Sequence, residues 1–239
     1  MGRLFLVRHA QASFLSQNYD QLSARGETQA RLLGEYWAQR NVAFDRVCSG
    51  PANRHRQTAE LAAKAYRKAG RDFPSPSVMD EFDEFHGDAV LSQSLPELVA
   101  NNGRIRELHS ALQNSGEEAS KRVNFQRLFQ AVICLWVNGE IAPPGVESWQ
   151  NFCARVNRGL SKFVGKARKG ELGVIFTSGG PVSVAMQRAL HLSAQDTVRV
   201  AWMPRNCSFS EFLFSGDRFT LSSFNSFPHL DSDSLHTYR

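Results

Sequence analysis

The short apolar run Leu4 to Val7 stops abruptly at Arg8-His9. A neutral imidazole is a good nucleophile toward phosphorus and needs no metal to act as one. It must stay unprotonated near neutral pH, and a guanidinium on the adjacent residue disfavours the imidazolium by like-charge repulsion. The same Arg8 can hold equatorial phosphoryl oxygens and stabilise the charge that develops on them during transfer. A second group of such residues is Ser49-Gly50-Pro51-Ala52-Asn53-Arg54-His55-Arg56-Gln57-Thr58-Ala59. Pro51 suits a helix start. Arg54 then falls in the first turn, where unpaired backbone N–H groups already favour an anion. Taken singly, Arg8-His9 reads as polar punctuation after a strand and Arg54 as a solvated helix arginine. Only their combination points to phosphoryl chemistry.

These residues need elements to bring them together. An apolar run that ends in Arg-His is the pattern of a buried parallel strand whose C-terminal end opens into a site. The polar stretch Gln11 to Ser23 reads as a loop, and Leu32, Leu33, Tyr36 and Trp37 give the apolar stripe of a helix from about Gly26 to Arg40. Phe44 to Cys48 is a second short strand, and a helix from about Asn53 to Ala69 is stopped by Gly70. Phe73-Pro74-Ser75-Pro76 reads as a connector, and Ser94 to Asn138 as helical with no strand signal. Pro143-Pro144-Gly145 breaks that stretch, and a further helix runs from near Glu147 to Gly170. Leu172 to Phe176 is a third buried strand, and Thr177-Ser178-Gly179-Gly180-Pro181 turns into a helix through about His191. Ser208 to Phe214 and Phe219 to Phe224, separated by Gly216-Asp217, form a hairpin. The expected fold is α/β: a mostly parallel central sheet covered by helices on both faces, with a helical cap insertion at roughly 90–145 in a single domain. In such sheets ligands bind beyond the C-terminal strand ends, where the three polar turns meet.

Composition fits this reading. With 239 residues, 42% of them hydrophobic, the chain can bury a large core. The net charge of +5 favours anions. The basic residues are spread along the chain, apart from a short cluster from Lys162 to Lys169, which argues for a small anion held locally and against nucleic acid. Arg104, Arg106, Lys121, Arg122 and Arg127 are interleaved with Leu128, Phe129, Val132, Ile133 and Trp136, as in amphipathic helices with a solvated basic face. Cys48, Cys134, Cys153 and Cys207 show no zinc spacing and read as reduced thiols of a cytoplasmic protein. No secretory signal or bilayer-length apolar stretch is present, so no membrane partner is expected. The sequence does not specify an oligomeric state.

Leu-Val-Arg-His-Ala near the N-terminus is followed by Leu22-Ser23, Gly26-Glu27 and Gln29-Ala30, and then by the Ser-x-Pro-x-x-Arg-x-x-Gln-Thr-Ala pattern. This combination resembles the histidine phosphatase superfamily, also called phosphoglycerate mutase-like, over essentially the whole chain. Gln11-Ala12-Ser13-Phe14 with Asn18-Tyr19-Asp20 resembles a bacterial branch of it. The resemblance implies a covalent phosphohistidine at His9, phosphate clamping by Arg8 and Arg54, and no metal or other cofactor. It also implies a general acid from a Leu-x-Glu segment, which Met79-Asp80-Glu81 matches with Met for Leu. Glu81 is the expected acid, with Asp83 and Glu84 as rivals.

The family usually places a second phosphate-binding histidine directly after the third strand. Here Ser178 stands in that place, ahead of Gly179 and Gly180. A serine donates one hydrogen bond and carries no charge. Gly179 and Gly180 let the backbone approach a phosphate closely, and Ser178 and Gly179 are expected to bind it. His86 and His229 are candidate replacements for the histidine. The expected activity is hydrolysis of a phosphomonoester, on a small phosphorylated molecule or a phosphoprotein. The alternatives are mutase-type transfer back to the substrate, and a degenerate member that binds phosphorylated ligands without turnover.

Overall fold

A computed structural model of the chain describes residues 1–12 and 20–238. Ser13, Phe14, Asn18 and Tyr19, which carry part of the branch resemblance, lie outside the described residues. The elements are β1 (Gly2–Arg8), α1 (Ala24–Gln39), β2 (Arg46–Ser49), α2 (Asn53–Lys68), β3 (Ser77–Val78), a 3₁₀ turn (Asp80–Phe82), α3 (Gly87–Asn101), α4 (Gly103–Gln113) and α5 (Glu118–Val137). They continue with α6 (Trp149–Gly165), β4 (Leu172–Thr177), α7 (Gly179–Leu190), α8 (Ala194–Ala201), β5 (Phe209–Ser215) and β6 (Arg218–Ser226).

The strands form one sheet in the order β3-β2-β4-β1-β5-β6. β3, β2, β4 and β1 are mutually parallel, while β5 runs antiparallel to β1 and pairs with β6 as a hairpin. β4 is buried along its whole length and β1 at every residue but Arg3, because both faces of these central strands are covered. On one face Phe5, Val7, Val174, Phe176 and Phe209 join Leu33 and Trp37 of α1 and Ala59, Ala62 and Tyr66 of α2 in one core. Trp37 makes edge contacts with Phe44 and Phe176, at ring centroid distances of 4.8 and 6.1 Å. On the opposite face the Phe163 ring of α6 fills the space above Gly173, where a Cβ would come within 2.4 Å of it.

Local chemistry explains the α1 boundary. Ser23 caps α1, its hydroxyl accepting from Gly26 N–H at 3.1 Å. Gly26 must lack a side chain, since a Cβ there would lie 2.1 Å from the Gln11 carbonyl oxygen. That close approach ties the start of α1 to the chain leaving β1.

The chain divides into two compact units, residues 1–84 with 155–239, and residues 85–154. The sheet belongs to the first. The second holds α3, α4 and α5, and its core includes Phe85, Trp136, Trp149 and Phe152, with Phe85–Trp136 centroids 5.4 Å apart. The insertion expected at roughly 90–145 falls within it. The helical stretch expected from Ser94 to Asn138 is three helices, and Asn102 marks the first break, its side chain accepting from Ile105 N–H to cap α4. Two elements escaped the sequence reading. β3 is only two residues long and follows a proline-rich connector, and α8 spans only two turns. Among the described residues no helix is long and apolar enough to cross a membrane.

Candidate active site

The parallel register aligns three strand ends. Arg8 pairs with Thr177 and Ser49 with Phe176, so the next residues, His9, Gly50 and Ser178, leave the sheet side by side. His9 N–H donates to the Thr177 carbonyl at 2.7 Å, and Gly50 N–H to the Phe176 carbonyl at 2.9 Å. The Asp80–Phe82 turn reaches the same end, where the Thr177 hydroxyl donates to the Phe82 carbonyl at 2.7 Å. Side chains of the sequence motif fasten the site from beneath. Ala10 N–H donates to Thr58 Oγ1 at 3.1 Å, Leu22 N–H to Gln57 Oε1 at 2.9 Å and Gln11 N–H to Gln29 Oε1 at 2.8 Å.

His9 is 7% exposed. Its Nδ1 lies 2.8 Å from the Ala10 carbonyl oxygen. A carbonyl can only accept, so Nδ1 carries a proton. Burial, and then the Arg54 and Arg8 guanidinium groups, hold the ring well below its ordinary pKa. A neutral ring protonated at Nδ1 leaves the Nε2 lone pair as its nucleophile. Arg8 is buried and donates to the Pro204 carbonyl. Arg54 donates through Nη1 to Asp20 Oδ1 at 2.7 Å, and Asn53 N–H donates to the other oxygen of the same carboxylate at 2.8 Å. A carboxylate thus already rests on the first turn of α2, which has no side-chain cap of its own.

The acidic run separates into two directions. Glu81 is paired with Lys162 of α6, and the hydrogen bond from Lys162 holds its carboxyl below the usual range. Its Cβ is directed at α6, lying 2.6 Å from where a Cβ on Gly159 would stand. Arg155 of the same helix pins the surrounding backbone by donating to the Asp80, Glu81 and Asp83 carbonyls at 3.1–3.2 Å. Asp83 turns back on its own chain, accepting from Glu84 N–H at 2.9 Å. Glu84 reaches the strand ends instead: its Oε2 accepts from Gly180 N–H at 3.0 Å, in the first turn of α7.

Ser178 precedes that turn and is buried, as is Gly179. Gly179 is required for packing, since a Cβ there would lie 2.6 Å from the Ala201 carbonyl at the end of α8. Ser178 Oγ lies 2.6 Å from Nε2 of His55, and the His55 ring centroid is 5.7 Å from that of His9. Sequence reasoning did not single out His55, although it adjoins Arg54. The available signal was its place on the buried stripe of α2, one turn before Thr58 and Ala59. The two histidines proposed as replacements lie elsewhere. His86 is exposed at the start of α3, and His229 is buried against Tyr36 and Phe209.

The sequence profile of the histidine phosphatase superfamily (branch 1) matches residues 4–124 and 127–226. The chain belongs to this family. The fold of this histidine phosphatase superfamily member is also that of solved relatives. The Bacillus stearothermophilus protein YhfR superposes with a TM-score of 0.64 at 16% identity, covering 97% of this chain and 100% of that one. A mycobacterial glucosyl-3-phosphoglycerate phosphatase in complex with inorganic phosphate superposes at 0.62 with 18% identity, covering 95% and 98%. Phosphoglycerate mutase from Bacillus anthracis superposes at 0.61 with 16% identity, covering 95% and 94%. At such identities the likeness shows the fold alone. No curated protein is significantly similar to the superfamily member in sequence.

Proposed function

We propose that the protein is a phosphomonoester hydrolase working through a phosphohistidine at Nε2 of His9. The observation that carries this reading is the hydrogen bond between His9 Nδ1 and the Ala10 carbonyl, which leaves Nε2 of a neutral ring as nucleophile at a parallel-sheet strand end. In the first half-reaction the Nε2 lone pair forms a bond to phosphorus while the bond from phosphorus to the leaving oxygen breaks. A protonated Glu84 gives its proton to that oxygen. In the second, water attacks phosphorus, Glu84 takes the water proton and the N–P bond breaks, releasing phosphate. Arg8 and Arg54 neutralise the equatorial oxygens, and the N-terminus of α7 favours the anion.

Glu84, and not Glu81, is assigned the proton transfer because its carboxylate reaches the start of α7 beside Ser178. Glu81 is engaged by Lys162, which favours its ionised form and works against an acid's role. The substrate is a phosphomonoester of a small molecule or a phosphoprotein. No disulfide joins any of the four cysteines, which supports a cytoplasmic setting.

Rapid alkaline quench after mixing with an aryl phosphate labelled on phosphorus tests the reading. Base-stable, acid-labile label is expected on the wild type and absent from His9→Ala. Label that persists in His9→Ala overturns the assignment.

A further inference from the structure

His55 sits where a polar ring is costly. It is fully buried, on the α2 stripe otherwise made of Thr58, Ala59, Ala62 and Tyr66. Three elements are fitted to it. From the start of α7, Ser178 Oγ meets Nε2 at 2.6 Å. At the end of β2, Gly50 leaves the ring room, since a Cβ there would fall 2.4 Å from Nδ1. From β1, the His9 ring lies alongside it. Ser178 stands at the N-cap of α7 but does not use its hydroxyl to cap that helix. The Ser178 hydroxyl is therefore committed to His55.

Proton counting fixes the direction of this bond. Burial first, and then Arg54, hold His55 well below its ordinary pKa, so the ring is neutral and carries one proton. Nδ1 has no hydrogen-bond partner among the described residues. A buried N–H without an acceptor is costlier than a bare ring lone pair, so the proton belongs on Nε2. Nε2–H then donates to Ser178 Oγ, and the serine's own proton is left to point at an acceptor in the site.

We propose that His55 and Ser178 form a two-residue donor relay, from His55 Nε2–H to Ser178 Oγ and from Ser178 O–H to a non-bridging oxygen of the phosphoryl group. The relay rests on the phosphoryl site proposed above. Ser178 touches the phosphoryl group, and His55 is a positioning residue that orients and polarises the serine hydroxyl. Neither proton leaves its donor. The serine is a stronger donor than an isolated hydroxyl, because each hydrogen bond in a chain polarises the next. The imidazole thus enters the site from α2, with the serine as its extension, and no histidine is needed after β4.

A double-mutant cycle tests the relay with inorganic phosphate as the probe, binding being measured by titration calorimetry and folding by circular dichroism and melting. Ser178→Ala is expected to weaken phosphate binding by roughly tenfold, as for loss of one hydrogen bond in a dry site. His55→Phe keeps an aromatic ring but has no Nε2–H, and is expected to lose nearly as much. The double variant should be no worse than the weaker single variant. His55→Gln, which keeps an N–H within reach of Ser178, should recover most of the loss. Effects that multiply in the double variant, a folded His55→Phe that binds phosphate as the wild type does, or a His55→Gln no better than His55→Phe would each overturn the relay. So would a wild-type protein that binds no phosphate. The alkaline-quench labelling of His9 is read separately. If no phosphohistidine forms, the hydrolase reading fails, while the phosphate cycle still decides the relay.

Discussion

Acidification from pH 7.5 to 5.5 should destabilise this protein through three histidines. His9 and His55 are held well below their ordinary pKa, first by burial and then by nearby charge, from Arg54 in both cases. Burial against Tyr36 and Phe209 pushes His229 down to about 3. In the unfolded chain each titrates near the usual value of about 6.5. The unfolded state therefore takes up protons that the folded state refuses. Stability is complete above about pH 6.5 and falls as pH drops below it. Over the two pH units each histidine costs on the order of 1 kcal/mol, so the three together cost a few kcal/mol. That is a large part of the roughly 5–15 kcal/mol that holds a typical domain folded. Glu81, whose carboxyl is held low by Lys162, loses its contribution only in more acid solution and does not contribute in this window. Guanidinium unfolding at the two pH values reads the difference as a shift in midpoint at constant slope. His229→Phe, remote from the reacting atoms, should shrink the difference by about one third. A midpoint that is unchanged or higher at pH 5.5 would refute the placement of three neutral rings in the interior.

Activity should behave differently from stability. Per folded molecule, kcat/KM should lose less from His9 protonation between pH 7.5 and 5.5 than it would with an ordinary histidine, because burial, Arg54 and Arg8 hold the ring well below its usual pKa. Arg54→Lys should cost about 1.5–3 kcal/mol of transition-state stabilisation, read as roughly a ten- to hundredfold drop in kcat/KM and weaker inhibition by vanadate, since lysine lacks the guanidinium fork. Glu84→Gln should slow turnover by roughly a hundred- to ten-thousand-fold for alkyl phosphates and much less for aryl phosphates with good leaving groups. Glu81→Gln, which loses its partner Lys162 and leaves Glu84 in place, should change turnover by only a few-fold; the reverse pattern in steady-state kinetics would restore Glu81 as the acid. Dialysis against a chelator should leave turnover unchanged, and activity regained only on adding magnesium or zinc would contradict a histidine nucleophile acting alone.

The parts legible in the sequence are those set by near neighbours along the chain. Leu4 to Val7 had to be a buried strand because its apolar residues run without alternation, and Arg8-His9 had to lie where that strand leaves the sheet. Gly26, Gln29, Gln57 and Thr58 were readable as motif members. Their work is to tie the backbone at residues 10, 11 and 22 to α1 and α2. The two-residue β3 was not legible, because so short a strand exists only by pairing with β2.

Side-chain direction was the other thing the sequence could not decide. The motif match favours Glu81 as the acid, with Asp83 and Glu84 as rivals in the same acidic run. Lys162 and Arg155 of α6 draw Glu81 one way and Gly180 of α7 draws Glu84 the other, and both helices lie far along the chain. His55 adjoins Arg54, but successive helix residues project about 100° apart. One therefore faces Asp20 while the other faces the interior. The sequence by itself determined which residue types stand at the strand ends, because strand and helix periods are local properties. Only the tertiary structure decided which of them meet, because the partner that orients each side chain, Ser178 for His55 and Gly180 for Glu84, is delivered by β4 and α7 through the register of the sheet.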